Sequence, residues 1–179
     1  MSELGDRLFA VHDAFDAASI PHAIGGAIAL GYCALEPRGT RDLDLNVFVR
    51  ASRAKEVFAA LPSPIAFSGL DLEHAERDGQ VRLWWGQTPI DLFFSVLPFH
   101  DQVAKEVRQV TFEGRTIPVI GCNALALFKS MFDRTRDWAD IESMIEARTI
   151  DVDSIVAWIR EMAGEDSREA AKLAALRPA

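Results

Sequence analysis

Residues 24–49 read IGGAIALGYCALEPRGTRDLDLNVFV. The end of this stretch alternates. Asp42, Asp44 and Asn46 fall on one face of a strand and Leu43, Leu45 and Val47 on the other, because successive side chains in a strand point to opposite sides. Two neighbouring carboxylates repel each other unless a cation lies between them, and hard oxygen donors of this kind suit Mg²⁺ or Mn²⁺. A surface strand with its acids in solvent gives the same pattern, so D-x-D alone does not decide. The preceding residues shift the balance. Gly25-Gly26 closes a short apolar run, His22-Ala23-Ile24, and opens a helix-like one, Ala27-Ile28-Ala29-Leu30. A strand–turn–helix of this kind uses glycine for positive φ and for close approach of another group. Backbone N–H groups at the turn and helix start make an anion site. The stretch thus offers a phosphate cradle and then a metal-binding strand, which is what a metal-bound nucleoside triphosphate requires.

The rest of the composition sets bounds. The chain has 179 residues, 49% of them hydrophobic, enough for a real core in one domain or one domain with a helical appendage. A formal net charge of −8 argues against broad, sequence-independent nucleic-acid binding but leaves room for a local basic groove. Cys33 and Cys122 are far apart with no C-x-x-C, which argues against a disulfide framework or structural zinc and for a reducing cytoplasm. No apolar h-region opens the chain and no apolar run is long enough to span a bilayer, so neither a signal peptide nor a membrane partner is expected.

Periodicity supplies the elements. Leu4, Leu8, Val11 and Phe15 predict an amphipathic helix over residues 2–18, with His12 beside the stripe. Ser52 is the expected cap of a second helix. Residues 65–78, with Asp71, Glu73, His74 and Glu76, read as a rim loop without an assigned role. Residues 80–85 and 89–96 flank Gly86-Gln87 as a hairpin, and a second hairpin turns at Glu113-Gly114-Arg115. In the strand PIDLFFSV, Asp91 is expensive to bury without a partner: it faces solvent at a sheet edge or belongs to a site. Trp84 and Trp85 point to opposite faces, so at least one is expected in the core. From Asn123 onward the pattern is helical, with Leu125, Phe128 and Phe132 inward on the first helix. The chain therefore divides into an α/β part, residues 1–121, and a C-terminal helical region, residues 122–179, expected to pack on it.

Lys129-x4-Arg134-x2-Asp137-x2-Asp140 spans the junction of two of these helices. Lys129 flanks the packed face next to Phe128, and Asp137 and Asp140 are i, i+3 neighbours. By itself this is a salt-bridge network joining two helices.

The Gly-Gly turn followed by D-x-D resembles the nucleotidyltransferase fold of the DNA polymerase β superfamily. The run Arg38-x-Thr40-x-Asp42-Leu43-Asp44 most resembles the AbiEii/AbiGii-type abortive-infection nucleotidyltransferases. The resemblance covers roughly residues 20–145 through few positions, and the loop between Gly26 and Asp42 is longer than the minimal pattern. It implies an α/β (α+β) fold, a small mixed sheet with flanking helices followed by the helical region. It also implies metal-dependent transfer of a nucleoside monophosphate from an NTP to an acceptor hydroxyl, with Mg²⁺ or Mn²⁺. In that scheme Asp42, Asp44 and Asp91 hold metal, and Asp91 helps deprotonate the acceptor. Gly25 and Gly26 present backbone to the phosphates. Arg38, Thr40, Lys129 and Arg134 contact the triphosphate, and Asp137 gives orientation or acid–base help. The acceptor remains open among tRNA, protein and a small molecule, and the toxin-type resemblance implies an antitoxin partner. Arg38, Arg41, Lys129, Arg134 and Arg136 form a basic rim for tRNA or serve the triphosphate alone. The rival readings are a non-catalytic nucleotidyltransferase-like binding module and another metal-dependent transferase.

Overall fold

Ser2 caps the first helix, α1 (Glu3–Ala17): its hydroxyl accepts from Gly5 N, and Leu8, Val11 and Phe15 line the buried side. The structure is a computed structural model that describes residues 2–96 and 99–177. After Pro21, which disfavours further helix, come β1 (His22–Ile24), α2 (Gly26–Cys33) and β2 (Leu43–Arg50). A 3₁₀ turn, Ala51–Arg53, runs directly into α3 (Ala54–Ala60), so Ser52 lies inside the turn instead of capping the helix. There follow β3 (Ile65–Ala66), α4 (Gly69–Asp78), β4 (Gln80–Trp85), β5 (Thr88–Ser95), α5 (Phe99–Lys105), β6 (Arg108–Phe112) and β7 (Arg115–Val119). Four helices end the chain: α6 (Cys122–Phe132), α7 (Thr135–Glu146), α8 (Val152–Ala163) and α9 (Arg168–Ala175).

Residues 65–78 are not the loop that their acids suggested. The Ser68 hydroxyl and the Asp71 carboxylate form a reciprocal capping box that starts α4, and Gly79 ends it at φ +68°. The S-x-x-D spacing carried this signal; the run of acids on an exposed helix face obscured it.

The chain divides into two compact units: the residues up to Gly26 with Gly39–Ile120, and Ala27–Arg38 with the residues from Gly121 on. The first unit holds a seven-stranded mixed sheet in the order β3-β4-β5-β2-β1-β7-β6. Strands β2 and β5 pair parallel, as do β1 and β7; the other neighbours are antiparallel. Leu43, Leu45, Val47, Ile90, Leu92 and Phe94 are all buried and alternate with the residues of the opposite face. Neither tryptophan of β4 is in the core: Trp84 is exposed and Trp85 half-buried, with the Arg7 guanidinium 6.0 Å from its ring centroid.

The second unit is helical. It takes in most of α2, which the sequence reading placed with the α/β part. The reason is tertiary. Cys33, at the end of α2, forms a disulfide with Cys122 at the start of α6, Cα atoms 5.4 Å apart, and the Thr149 hydroxyl bonds the Cys33 carbonyl. The expectation of no disulfide is thereby corrected: a sequence separation of 89 residues says nothing about whether two helix ends meet. On α6 the buried side is Ala124, Leu125, Leu127 and Lys129, while Phe132 is exposed. Gly121 holds the N-cap position of α6, and the Asn123 side chain accepts from Asp151 N. Among the described residues no helix is long and apolar enough to cross a membrane.

Candidate functional site

The parallel pairing of β2 with β5 sets the site. Its register makes Asp44 and Asp91 direct partners, flanked by the buried pairs Leu43–Ile90 and Leu45–Leu92. Side-chain alternation then puts both carboxylates on the face opposite the core, with Asp42 two residues ahead of Asp44. The glycine pair lies against the same side chain. Gly26 has φ +52°, and a Cβ built on it would lie 1.8 Å from Asp44 Oδ2. Gly25 N donates to the Asp44 carbonyl at 2.8 Å, and a Cβ on Gly25 would lie 2.6 Å from Asn46 Nδ2. At Gly26 only glycine permits this approach. Thr40 serves the backbone: its hydroxyl accepts from Asp42 N at 3.3 Å and lies 3.4 Å from the Asp42 carbonyl.

Arg82 was not among the residues that the sequence singled out. It sits opposite Asp91 in the β4–β5 hairpin and grips that carboxylate with both arms, Nε to Oδ1 at 2.7 Å and Nη2 to Oδ2 at 2.6 Å. Nη2 is also 4.0 Å from Asp42 Oδ2. A signal existed. The two-residue turn Gly86-Gln87 fixes the hairpin register and thereby pairs position 82 with 91. The hydrogen bonds to Asp91 are the main reason that the Arg82 pKa rises further, with the charges of Asp42 and Asp44 adding to them against partial burial. The carboxylates thus recruit a cation from within the sheet. Asp42, Asp44 and Asp91 bring three carboxylates, hard oxygen donors, to one region of the sheet. That donor set fits Mg²⁺ or Mn²⁺.

The second predicted cluster forms entirely within the second unit. Lys129 is buried, 8% exposed, and its Nζ lies 2.6 Å from Asp140 Oδ2 and 3.3 Å from Asp137 Oδ1. Arg134 Nε donates to Asp137 Oδ2 at 2.6 Å, and Arg38 Nη1 to Asp140 Oδ1 at 2.7 Å. Arg38 Nε is buried without a hydrogen-bond partner. Burial acts to raise the pKa of Asp137, but the Arg134 hydrogen bond and the Lys129 charge outweigh it and hold the carboxyl below its ordinary range. The cluster pairs every charge it buries, as an ionic joint between α6, α7 and the Arg38 segment must. Asp42, Asp44, Asp91, Gly25, Gly26 and Thr40 belong to the first unit; Arg38, Lys129, Arg134 and Asp137 belong to the second.

No known family model matches the sequence, and no curated protein is significantly similar to it. Solved structures are similar in fold. The antibiotic-resistance factor ANT(2'')-Ia, in complex with adenylyl-2''-tobramycin, superposes with a TM-score of 0.62 at 13% identity, over 97% of this chain and 98% of that one. Its solution structure gives 0.61 at 14% identity, over 96% and 93%. The lincosamide antibiotic adenylyltransferase LnuA, lincomycin-bound, gives 0.54 at 17% identity, over 80% of this chain and 96% of that one. The chain therefore has the nucleotidyltransferase fold, a central mixed sheet flanked by helices. At these identities the likeness is one of fold.

Proposed function

We propose that this chain is a metal-dependent nucleotidyltransferase that moves a nucleoside monophosphate from an NTP to an acceptor hydroxyl. The observation that carries the reading is the register pairing of Asp44 with Asp91, with Gly26 forced against Asp44. Asp42, Asp44 and Asp91 would hold Mg²⁺ or Mn²⁺, which supplies charge neutralisation for the phosphates when bound. Gly25 and Gly26 leave backbone open to a phosphate beside Asp44. Asp91, on β5 and only partly exposed, is the acid that would accept the hydroxyl proton of the acceptor. Arg82 orients Asp91 and balances the cluster before metal arrives. Thr40 shapes the entry to β2. Arg38, Lys129, Arg134 and Asp137 keep the triphosphate-contact and acid–base roles only as the family resemblance implies them; Arg38 and Lys129 pair with Asp140, and Lys129 and Arg134 with Asp137.

Two acceptor classes have support. The fold neighbours include enzymes described with antibiotic ligands, tobramycin and lincomycin, across nearly their full length, which favours a hydroxyl on a small molecule. The R-x-T-x-D-x-D run favours the AbiEii-type toxin reading, with tRNA or protein as acceptor and an antitoxin partner. One assay addresses both. NTPs labelled at the α-phosphate are supplied with Mg²⁺ to cell extract and to a panel of hydroxylated small molecules, with Asp44→Ala beside the wild type. Label that moves to one acceptor class and is lost in the variant supports the transferase and names the class. Absence of transfer, together with no stabilisation by Mg²⁺ and nucleotide, rejects it in favour of a binding module.

A further inference from the structure

A second set of metal-ligating side chains lies on α1 and β1. It is built from His12, Asp16 and His22, whose ligand atoms all lie within 4.8 Å of one another. His12 and Asp16 are one helical turn apart and share a face of α1; His22 opens β1. Both rings are buried, 8% and 6% exposed, and the Phe15 ring packs against His22 at a centroid distance of 5.2 Å.

The proton count in this cluster is informative. His22 Nδ1 is 2.8 Å from the Ile20 carbonyl, which only accepts, so Nδ1 carries the ring proton and Nε2 holds a lone pair. That Nε2 is 2.8 Å from His12 Nδ1, so the proton between the rings belongs to His12 Nδ1. His12 Nε2 is then a second lone pair, and it faces Asp16 Oδ2 across 3.7 Å. When His12 Nε2 carries no proton, two acceptors face each other across this gap, and the position between them suits a cation.

A metal ion meets the geometry. Bonds of about 2.1 Å to nitrogen and oxygen place two tetrahedral donors about 3.4 Å apart, close to the gap present. The Ile20 carbonyl orients the His22 ring in the manner of an outer-sphere partner. The third donor, His22 Nε2, lies within the same 4.8 Å cluster, and its coordination to the ion would replace the hydrogen bond it accepts from His12 Nδ1. The Asp16 side chain is 66% exposed and leaves an entry from solvent. Two imidazoles and one carboxylate select Zn²⁺ and its neighbours Co²⁺ and Ni²⁺ over Mg²⁺, the opposite preference to the carboxylate face of β2 and β5. We propose that His12, Asp16 and His22 form a transition-metal site of the zinc class that ties α1 to β1. The inference does not rest on the transferase reading. Its structural consequence reaches that site through the chain, because β1 runs from His22 straight into Gly25-Gly26.

The test uses the full chain stripped with chelator, titrated with Zn²⁺ calorimetrically and with Co²⁺ by visible absorption. The expected result is one Zn²⁺ per chain, a raised melting temperature and a Co²⁺ spectrum of nitrogen–oxygen coordination. His22→Gln abolishes binding. Asp16→Asn, at an exposed side chain, weakens it at least tenfold. The double variant Asp44→Asn/Asp91→Asn retains it, which excludes the acidic face as the source. No Zn²⁺ binding overturns the proposal, as does binding that survives both Asp16→Asn and His22→Gln or disappears in the double variant.

Discussion

Replacing Gly26 by alanine isolates the contact on which the proposed site depends. Two terms act together. Gly26 occupies φ +52°, and an L-residue in the left-handed region loses about 1–2 kcal/mol. The new Cβ would also lie 1.8, 2.4 and 2.9 Å from Oδ2, Cγ and Cβ of Asp44. The first two overlaps are relieved by swinging the carboxylate; the third is not, because Asp44 sits on β2 between β1 and β5. Overpacking of this kind adds about 1–3 kcal/mol, for a total of about 3 kcal/mol. In a chain of this length that corresponds to a drop of roughly 6–12 °C in melting temperature. The larger consequence is chemical: Asp44 is turned away from Asp91. Gly26→Ala is therefore expected to lose stabilisation by Mg²⁺ and nucleotide even at temperatures where it is fully folded. Gly25→Ala is the control. It meets the movable Asn46 amide at 2.6 Å without a positive φ, so its loss of stability is smaller. Thermal melts with and without Mg²⁺ and each NTP measure both effects. A Gly26→Ala protein with wild-type stability and an undiminished metal–nucleotide shift would refute the reasoning.

Other outcomes follow from the same geometry. Arg82→Gln removes the internal cation from Asp91 and Asp42, so the metal-free protein becomes less stable by about 1 kcal/mol, the pair being half exposed, while the Mg²⁺ concentration needed for half-maximal stabilisation falls; a rise in that concentration would contradict the counter-cation role. Lys129→Met leaves Asp137 and Asp140 short of a buried partner and is expected to destabilise by about 3–5 kcal/mol in urea unfolding. Because the Asp137 carboxyl is held below its ordinary 3.8, its contribution is complete above that pH and is lost as pH falls further through the folded-state value; acid unfolding of wild type and Asp137→Asn should diverge above pH 4 and converge below it. Cys33→Ser, or reduction, frees a closed loop of 89 residues and lowers stability by up to about 4 kcal/mol, read from melts with and without reductant.

The sequence by itself determined what depends on local periodicity and local chemistry. The alternation in DLDLNV placed Asp42 and Asp44 on one face, and Gly25-Gly26 announced a turn where a side chain is excluded. The hairpin of β4 and β5 was legible because a two-residue glycine turn fixes its register, and Arg82 opposite Asp91 follows from that register. Long-range placement was decided only by tertiary structure. Parallel pairing of β2 with β5 makes Asp44 and Asp91 partners across 47 positions of chain, and nothing local encodes such a pairing. The same holds for the disulfide and for α2, whose grouping follows from where Cys33 and Arg38 find partners. On α6 the apolar pattern suggested Phe132 inward, yet Lys129 is the buried residue, because two carboxylates of α7 meet its ammonium there. A buried charge is settled by its partner, and a partner from another element is visible only in the folded chain.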